Sequence, residues 1–151
     1  VKISVKMKKK EGVNNIKVSK VKWMSYVLIF AGIYNLIWGI ISILFPFLYF
    51  DFAEIKRPIY PEVWQCVGMV VGVYGIGYII AAKNPYKHWV IIFVGLLGKI
   101  FGPIGFFINL TTGVFPISFG ILILFNDLIW WVPFGVILFL VYKKNRSNNT
   151  E

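Results

Sequence analysis

The residues of this chain best suited to chemistry are Lys99, Asn126, Asp127 and Asn35, because each interrupts a stretch that is otherwise apolar. Lys99 falls within GLLGKIFGPIG, residues 95–105, near the middle of an apolar segment running from His88 to Leu110. Asn126 and Asp127 fall within a second segment, Pro116 to Tyr142, at a matching distance from the turn between the two. An ionisable side chain at the centre of a membrane span costs about 2.5–3.5 kcal/mol on insertion scales, so it needs a partner or a purpose. Lys99 and Asp127, on neighbouring helices, are expected to supply each other's counter-charge, with Asn126 or Asn35 completing the hydrogen bonding. Two roles fit such a group. It can act as a proton relay, counter-ion or ligand-binding point, or it can be a neutralised pair that fixes helix register and rotation. Trp130, Trp131, Tyr34 and Tyr74 are placed to wall a pocket nearby and favour the first role, although aromatic residues alone more often serve packing.

The elements that must position these residues are membrane spans. Of 151 residues, 58% are hydrophobic and 19% aromatic, with a mean hydropathy of +0.75. An ordinary soluble domain is roughly 45–50% apolar. The apolar residues also come in long blocks, which predicts an all-α integral membrane four-helix bundle with antiparallel up-down connections. Its spans are expected at about 23–48, 63–82, 88–110 and 116–142, preceded by a basic arm, 1–22, and followed by a polar tail, 143–151. The arm, poor in aromatics, is expected to be mobile. Met7 heads its lysine run and is an alternative start to Val1.

Small residues mark the faces that should touch. In the first span Ala31, Gly32, Asn35, Gly39 and Ser42 recur at three- and four-residue spacing. In the second, Gly68, Gly72 and Gly75 lie along one side, and in the third Gly95, Gly98, Gly102 and Gly105 form a stripe that includes Lys99. These glycines are expected to pack helices closely. Pro103 removes the amide that would pair with a carbonyl one turn back, so it frees an acceptor there. The fourth span, roughly 25 residues, is expected to tilt or to bend at Pro133.

The charge of +10 is lopsided, with eight of sixteen basic residues in the first 22 positions. Beside a span, such an arm sets orientation and attracts anionic lipid rather than nucleic acid. The KNPYK turn at 83–87 and the KKNR tail are also basic, while loop 49–62 and turn 111–116 are not. The asymmetry predicts both termini in the cytoplasm. At 1.5 Å of rise per residue, Asn35, Lys99 and Asp127 all fall near the midplane of a core about 30 Å thick.

Other chemistry is poorly supplied. The one cysteine, Cys66, permits no internal disulfide and no CxxC motif, and is expected to be an inert core residue. One histidine excludes a multi-histidine metal centre, and no metal is expected. Asp51, Glu54 and Glu62 lack the spacing of a calcium loop. Gln65 and Asn109 are expected to be hydrated at the outer interface. No catalytic or nucleotide-binding fingerprint is present.

WQCVGMVVGVYGIGY at 64–78, HWVIIFVGLLGKIFGPIGF at 88–106 and NDLIWWVPF at 126–134 resemble a family of small bacterial four-span proteins, similar in layout to the DoxX-like group. The resemblance implies the bacterial inner membrane and carries no settled activity. Some relatives bear an alkyl hydroperoxide reductase label, which a single membrane-embedded cysteine without a resolving partner argues against. The function expected first is therefore that of a non-enzymatic binding protein. Its midplane polar site would hold an apolar ligand (lipid, quinone or isoprenoid) or a partner protein, as a homo-oligomer or within a larger membrane complex. An oligomeric transporter or channel using Lys99 and Asp127 comes second. A lipid-modifying membrane enzyme comes third, with Asp127 as its acid–base group. No dedicated cofactor is expected beyond such a bound lipid or quinone.

Overall fold

The computed structural model describes the backbone of residues 2–148 and the side chains of residues 22–147. Every regular element in it is helical: α1 (Lys2–Leu44), α2 (Leu48–Phe52), α3 (Pro61–Lys83), α4 (Trp89–Thr111), a 3₁₀ turn (Ile117–Phe119), α5 (Gly120–Ile123), a π-helical turn (Leu124–Leu128) and α6 (Ile129–Asn148). Four stretches are long and apolar enough to cross a membrane: Lys22–Leu44, Pro61–Lys83, Trp89–Thr111 and Ile117–Ser147. No more than 33% of the apolar window of any of them is buried inside the protein. Phe30, Val73 and Val132 are among the outward residues, at 75%, 67% and 73% exposure. An apolar exterior on this scale is stable only against lipid, so the chain is an integral membrane protein.

Prolines set the boundaries. α1 stops at Leu44 rather than running on to residue 48, because Pro46 disfavours helical backbone at Phe45 and lacks an amide of its own. α3 opens on Pro61, whose missing amide is no loss in a first turn. It closes at Asn84, held extended (φ −153°, ψ 87°) ahead of Pro85. After α4 the chain turns at Gly113, whose φ of +73° suits a residue without a Cβ. The backbone of the basic arm continues α1 back to Lys2. Its side chains, and with them its expected mobility, lie outside the described residues.

The closest helix pair is α1 with α3. A Cβ added at Gly39 would lie 2.6 Å from the Gly68 carbonyl oxygen, and one at Gly75 would lie 2.7 Å from that of Gly32. The seam is tied near its ends as well. Ser25 Oγ donates to the Ala82 carbonyl at 2.7 Å, and Gln65 Nε2 donates to the Ile43 carbonyl at 2.8 Å. Gln65 is thus not merely hydrated, as its sequence position suggested. It satisfies one of the last carbonyls of α1, which has no intrahelical partner. Asn109 likewise turns inward on its own helix, donating to the Gly105 carbonyl at 2.8 Å.

Helix α4 packs chiefly on α6 and the π-helical turn, and more loosely on α3. One apolar cluster gathers Met24, Leu28, Tyr78, Ile92, Phe134 and Ile137. A second, smaller one gathers Ala53, Phe106 and Phe119. The buried polar residues Asn35, Lys99 and Asp127 belong to neither. Cys66 corrects the sequence reading: it is exposed on the outer face of α3, not in the core.

Candidate functional site

The fourth span departs most from expectation, and it does so at the site. Pro133 lies inside α6, and the span carries a further irregularity at Leu124–Leu128, where five residues form a π-helical turn. The amide of Ile129 reaches back five residues to the Leu124 carbonyl. A wider turn re-aims side chains and loosens the carbonyl ladder, and such turns recur at functional sites. Asn126 and Asp127 both lie on this one.

Lys99, 5% exposed, reaches into the opening so made. Its ammonium donates to the Asn126 main-chain carbonyl at 2.6 Å and to Asn35 Oδ1 at 3.4 Å. A third, longer contact reaches Asn126 Oδ1 at 3.5 Å, beside Asp127 Oδ1 at 3.6 Å. Three directions match the three protons of an ammonium. The Lys99–Asp127 pairing expected from the sequence is present, but as an ion pair rather than a short hydrogen bond. The Asn126 amide links the two, since its Nδ2 donates to Asp127 Oδ1 at 3.1 Å.

The backbone of α4 is adapted to the same end. Pro103 has no amide to offer the carbonyl of Lys99, four residues earlier. That carbonyl instead accepts from the Trp131 indole at 2.9 Å. Gly102 lets the aspartate lie against α4, for a Cβ there would be 2.7 Å from Asp127 Oδ2. Gly95 makes the equivalent room for the Tyr78 ring.

Beside the ion pair lies a cavity of ≈ 240 Å³. Its polar wall holds Asn35, Lys99, Asn126 and Asp127, with Tyr74 and Tyr78 alongside. Its apolar wall includes Val67 and Val70 of α3, which are 40% and 55% exposed and so lead out to the lipid.

The expected site residues therefore divide. Lys99, Asp127, Asn126, Asn35 and Tyr74 converge on the cavity. Trp130, Trp131 and Tyr34 do not line it. Trp130 packs in the core against Phe134, with Tyr34 5.7 Å away between ring centroids, and Trp131 braces the backbone of α4. Of the seven glycines expected to pack helices, Gly68, Gly75, Gly95 and Gly102 do so, and the Gly72 backbone lies against Gly39, whose Cβ would fall 3.1 Å from its nitrogen. A Cβ at Gly72, Gly98 or Gly105 would itself meet nothing within 4 Å, so at Gly72 only the backbone makes the contact. Gly98 opens onto the cavity itself. Tyr78, buried to 1% exposure, was missed, since one more tyrosine in an apolar helix carries no local sign of a polar neighbour.

The fold and site define a polytopic membrane protein with a buried polar centre that opens sideways into a small cavity. No family model, curated protein or solved structure matches the chain.

Proposed function

We propose that this chain is a bacterial inner-membrane protein, DoxX-like in layout, that binds an apolar ligand (lipid, quinone or isoprenoid) in the cavity beside Lys99 and Asp127. The observation that carries this reading is the meeting of an apolar, lipid-facing wall with a hydrogen-bonding wall in one space, the usual composition of a small-molecule site. The π-helical turn, which costs regular backbone pairing, supports it, because it points Asn126 and Asp127 toward Lys99.

The helices run antiparallel, up and down, with both termini in the cytoplasm. Contacts supporting this order pair Ser25 with Ala82, Gly32 with Gly75 and Gly39 with Gly68, so that one helix ascends as the other descends. The orientation rests on the basic segments at 1–22, 83–87 and 143–146.

Native mass spectrometry of the protein released gently from its own membranes tests the binding reading. A defined extra mass of lipid size is expected. A bare protein from an otherwise folded preparation would contradict it.

A second reading, transport by an oligomer, is favoured by a second cavity of ≈ 230 Å³ lined by Tyr34, Trp38, Tyr49 and Phe125. Tyr34 and Phe125 are the chain neighbours of Asn35 and Asn126. Proton or solute flux in liposomes that disappears on replacing both Lys99 and Asp127 with leucine is the outcome this reading requires.

A further inference from the structure

Among the described residues, three buried side chains of the cavity wall each carry a polar group with no hydrogen-bond partner. They are Asp127 Oδ2, the Tyr78 hydroxyl and the Asn35 side-chain amide Nδ2. Asp127, Tyr78 and Asn35 are 5%, 1% and 2% exposed, and they line the cavity. An unpaired polar group at this depth is costly, and a carboxylate oxygen more so than a neutral one. The three differ in what they need: the carboxylate oxygen only accepts, the amide only donates, and the phenol does either.

The Lys99–Asp127 pair, meanwhile, brings one charge of each sign within 3.6 Å. The site is electrically balanced before any ligand arrives. A phosphate, carboxylate or ammonium headgroup would add an uncompensated charge at the level of the bilayer midplane.

We infer that the ligand is an uncharged lipid bearing a hydroxyl group, which donates to Asp127 Oδ2. The inference rests on the binding reading above and specifies its headgroup. A hydroxyl supplies a proton to the carboxylate oxygen while carrying no charge of its own. An ether, an ester or a carbonyl-only headgroup offers no proton to Oδ2. The tail leaves past Val67 and Val70, where the cavity meets the lipid. Isoprenoid alcohols and acylglycerols share this chemistry.

The test uses the full chain in phosphatidylcholine nanodiscs and three probes of one chain length: farnesol, farnesyl methyl ether and farnesyl phosphate. Farnesol is expected to bind at least about tenfold more tightly than either of the others, the factor that one hydrogen bond to a charged group is worth. Gly98→Val should abolish farnesol binding, because its side chain enters the cavity while touching no packed neighbour.

Equal binding of the ether would overturn the donor role while leaving the binding reading intact. Tighter binding of the phosphate would overturn the requirement for an uncharged headgroup. Binding of farnesol undiminished by Gly98→Val would place the alcohol elsewhere and overturn the assignment. If the protein from its native membrane carries a lipid mass yet takes up none of the three probes, the headgroup is wrong and the binding reading stands. If it carries none and takes up none, both fall.

Discussion

Between α1 and α3 glycine brings two backbones into contact, whereas between α3 and α4 it leaves a space. At the first seam a Cβ on Gly39 or Gly75 would strike a carbonyl oxygen of the opposite helix within 2.6–2.7 Å. At the second, Gly95 is filled by the Tyr78 ring, but Gly98, one turn on, faces nothing within 4 Å. The same residue type therefore serves stability in one place and room in the other. Association of helices in lipid depends on close packing, because burial of apolar surface offers no advantage over lipid contact. A cavity along a seam is thus a local sacrifice of packing, and it occurs where the polar centre lies.

The comparison can be broken most severely at the ion pair. Lys99→Leu leaves Asp127 buried without its counter-charge and should cost about 3–5 kcal/mol, read as loss of the folded fraction in a denaturation series. The double replacement Lys99→Leu, Asp127→Leu should recover most of that loss. Equal damage from the single and the double would mean that the two side chains act independently.

Next in size is overpacking of the closed seam. Gly39→Val should destabilise by about 1–3 kcal/mol by the same measurement, since neither the Gly68 carbonyl nor the Gly72 backbone can yield. Trp131→Phe removes the indole that satisfies the Lys99 carbonyl and should cost about 1 kcal/mol. A loss much smaller than this would show that the carbonyl freed by Pro103 finds another donor.

The smallest effect lies outside the membrane. Arg57 holds Asp51 through two hydrogen bonds of 2.7 and 2.8 Å and lies 4.9 Å from the centre of the Phe47 ring. Those hydrogen bonds hold the Asp51 carboxyl below its ordinary value of 3.8. The tie is complete at neutral pH and is lost as the pH falls through the lowered value, with little change in overall stability because both groups are exposed. The Arg57 Nε–H resonance in an NMR titration should therefore move with a midpoint below 3.8, the ordinary aspartate value.

How far the site was legible in the sequence follows from the kind of signal each part carries. Residue counting at 1.5 Å per residue was enough to bring Asn35, Lys99 and Asp127 to one depth, and the structure joins them in one cluster. The acceptor freed by Pro103 was also legible, for a proline always removes the same amide. Its donor, Trp131, was not, because a tryptophan in an apolar helix does not announce its rotation. The π-helical turn was invisible for a related reason. Leu124–Leu128 contains no proline or glycine, and the wider turn is stabilised by the tertiary contact of Asn126 with Lys99. Glycine periodicity gave the small-residue faces but not which glycines meet a neighbour, so Gly98 and Gly105 looked like Gly68 and Gly75.

The most direct measurement compares two valines. Gly98→Val and Gly72→Val each replace a glycine whose Cβ would meet nothing within 4 Å, but Gly98 lines the cavity and Gly72 does not. Native mass spectrometry of both, taken from their own membranes, should find the extra lipid mass on Gly72→Val and a bare protein for Gly98→Val, with both still folded. A lipid retained in full by Gly98→Val would contradict a ligand site at Lys99 and Asp127.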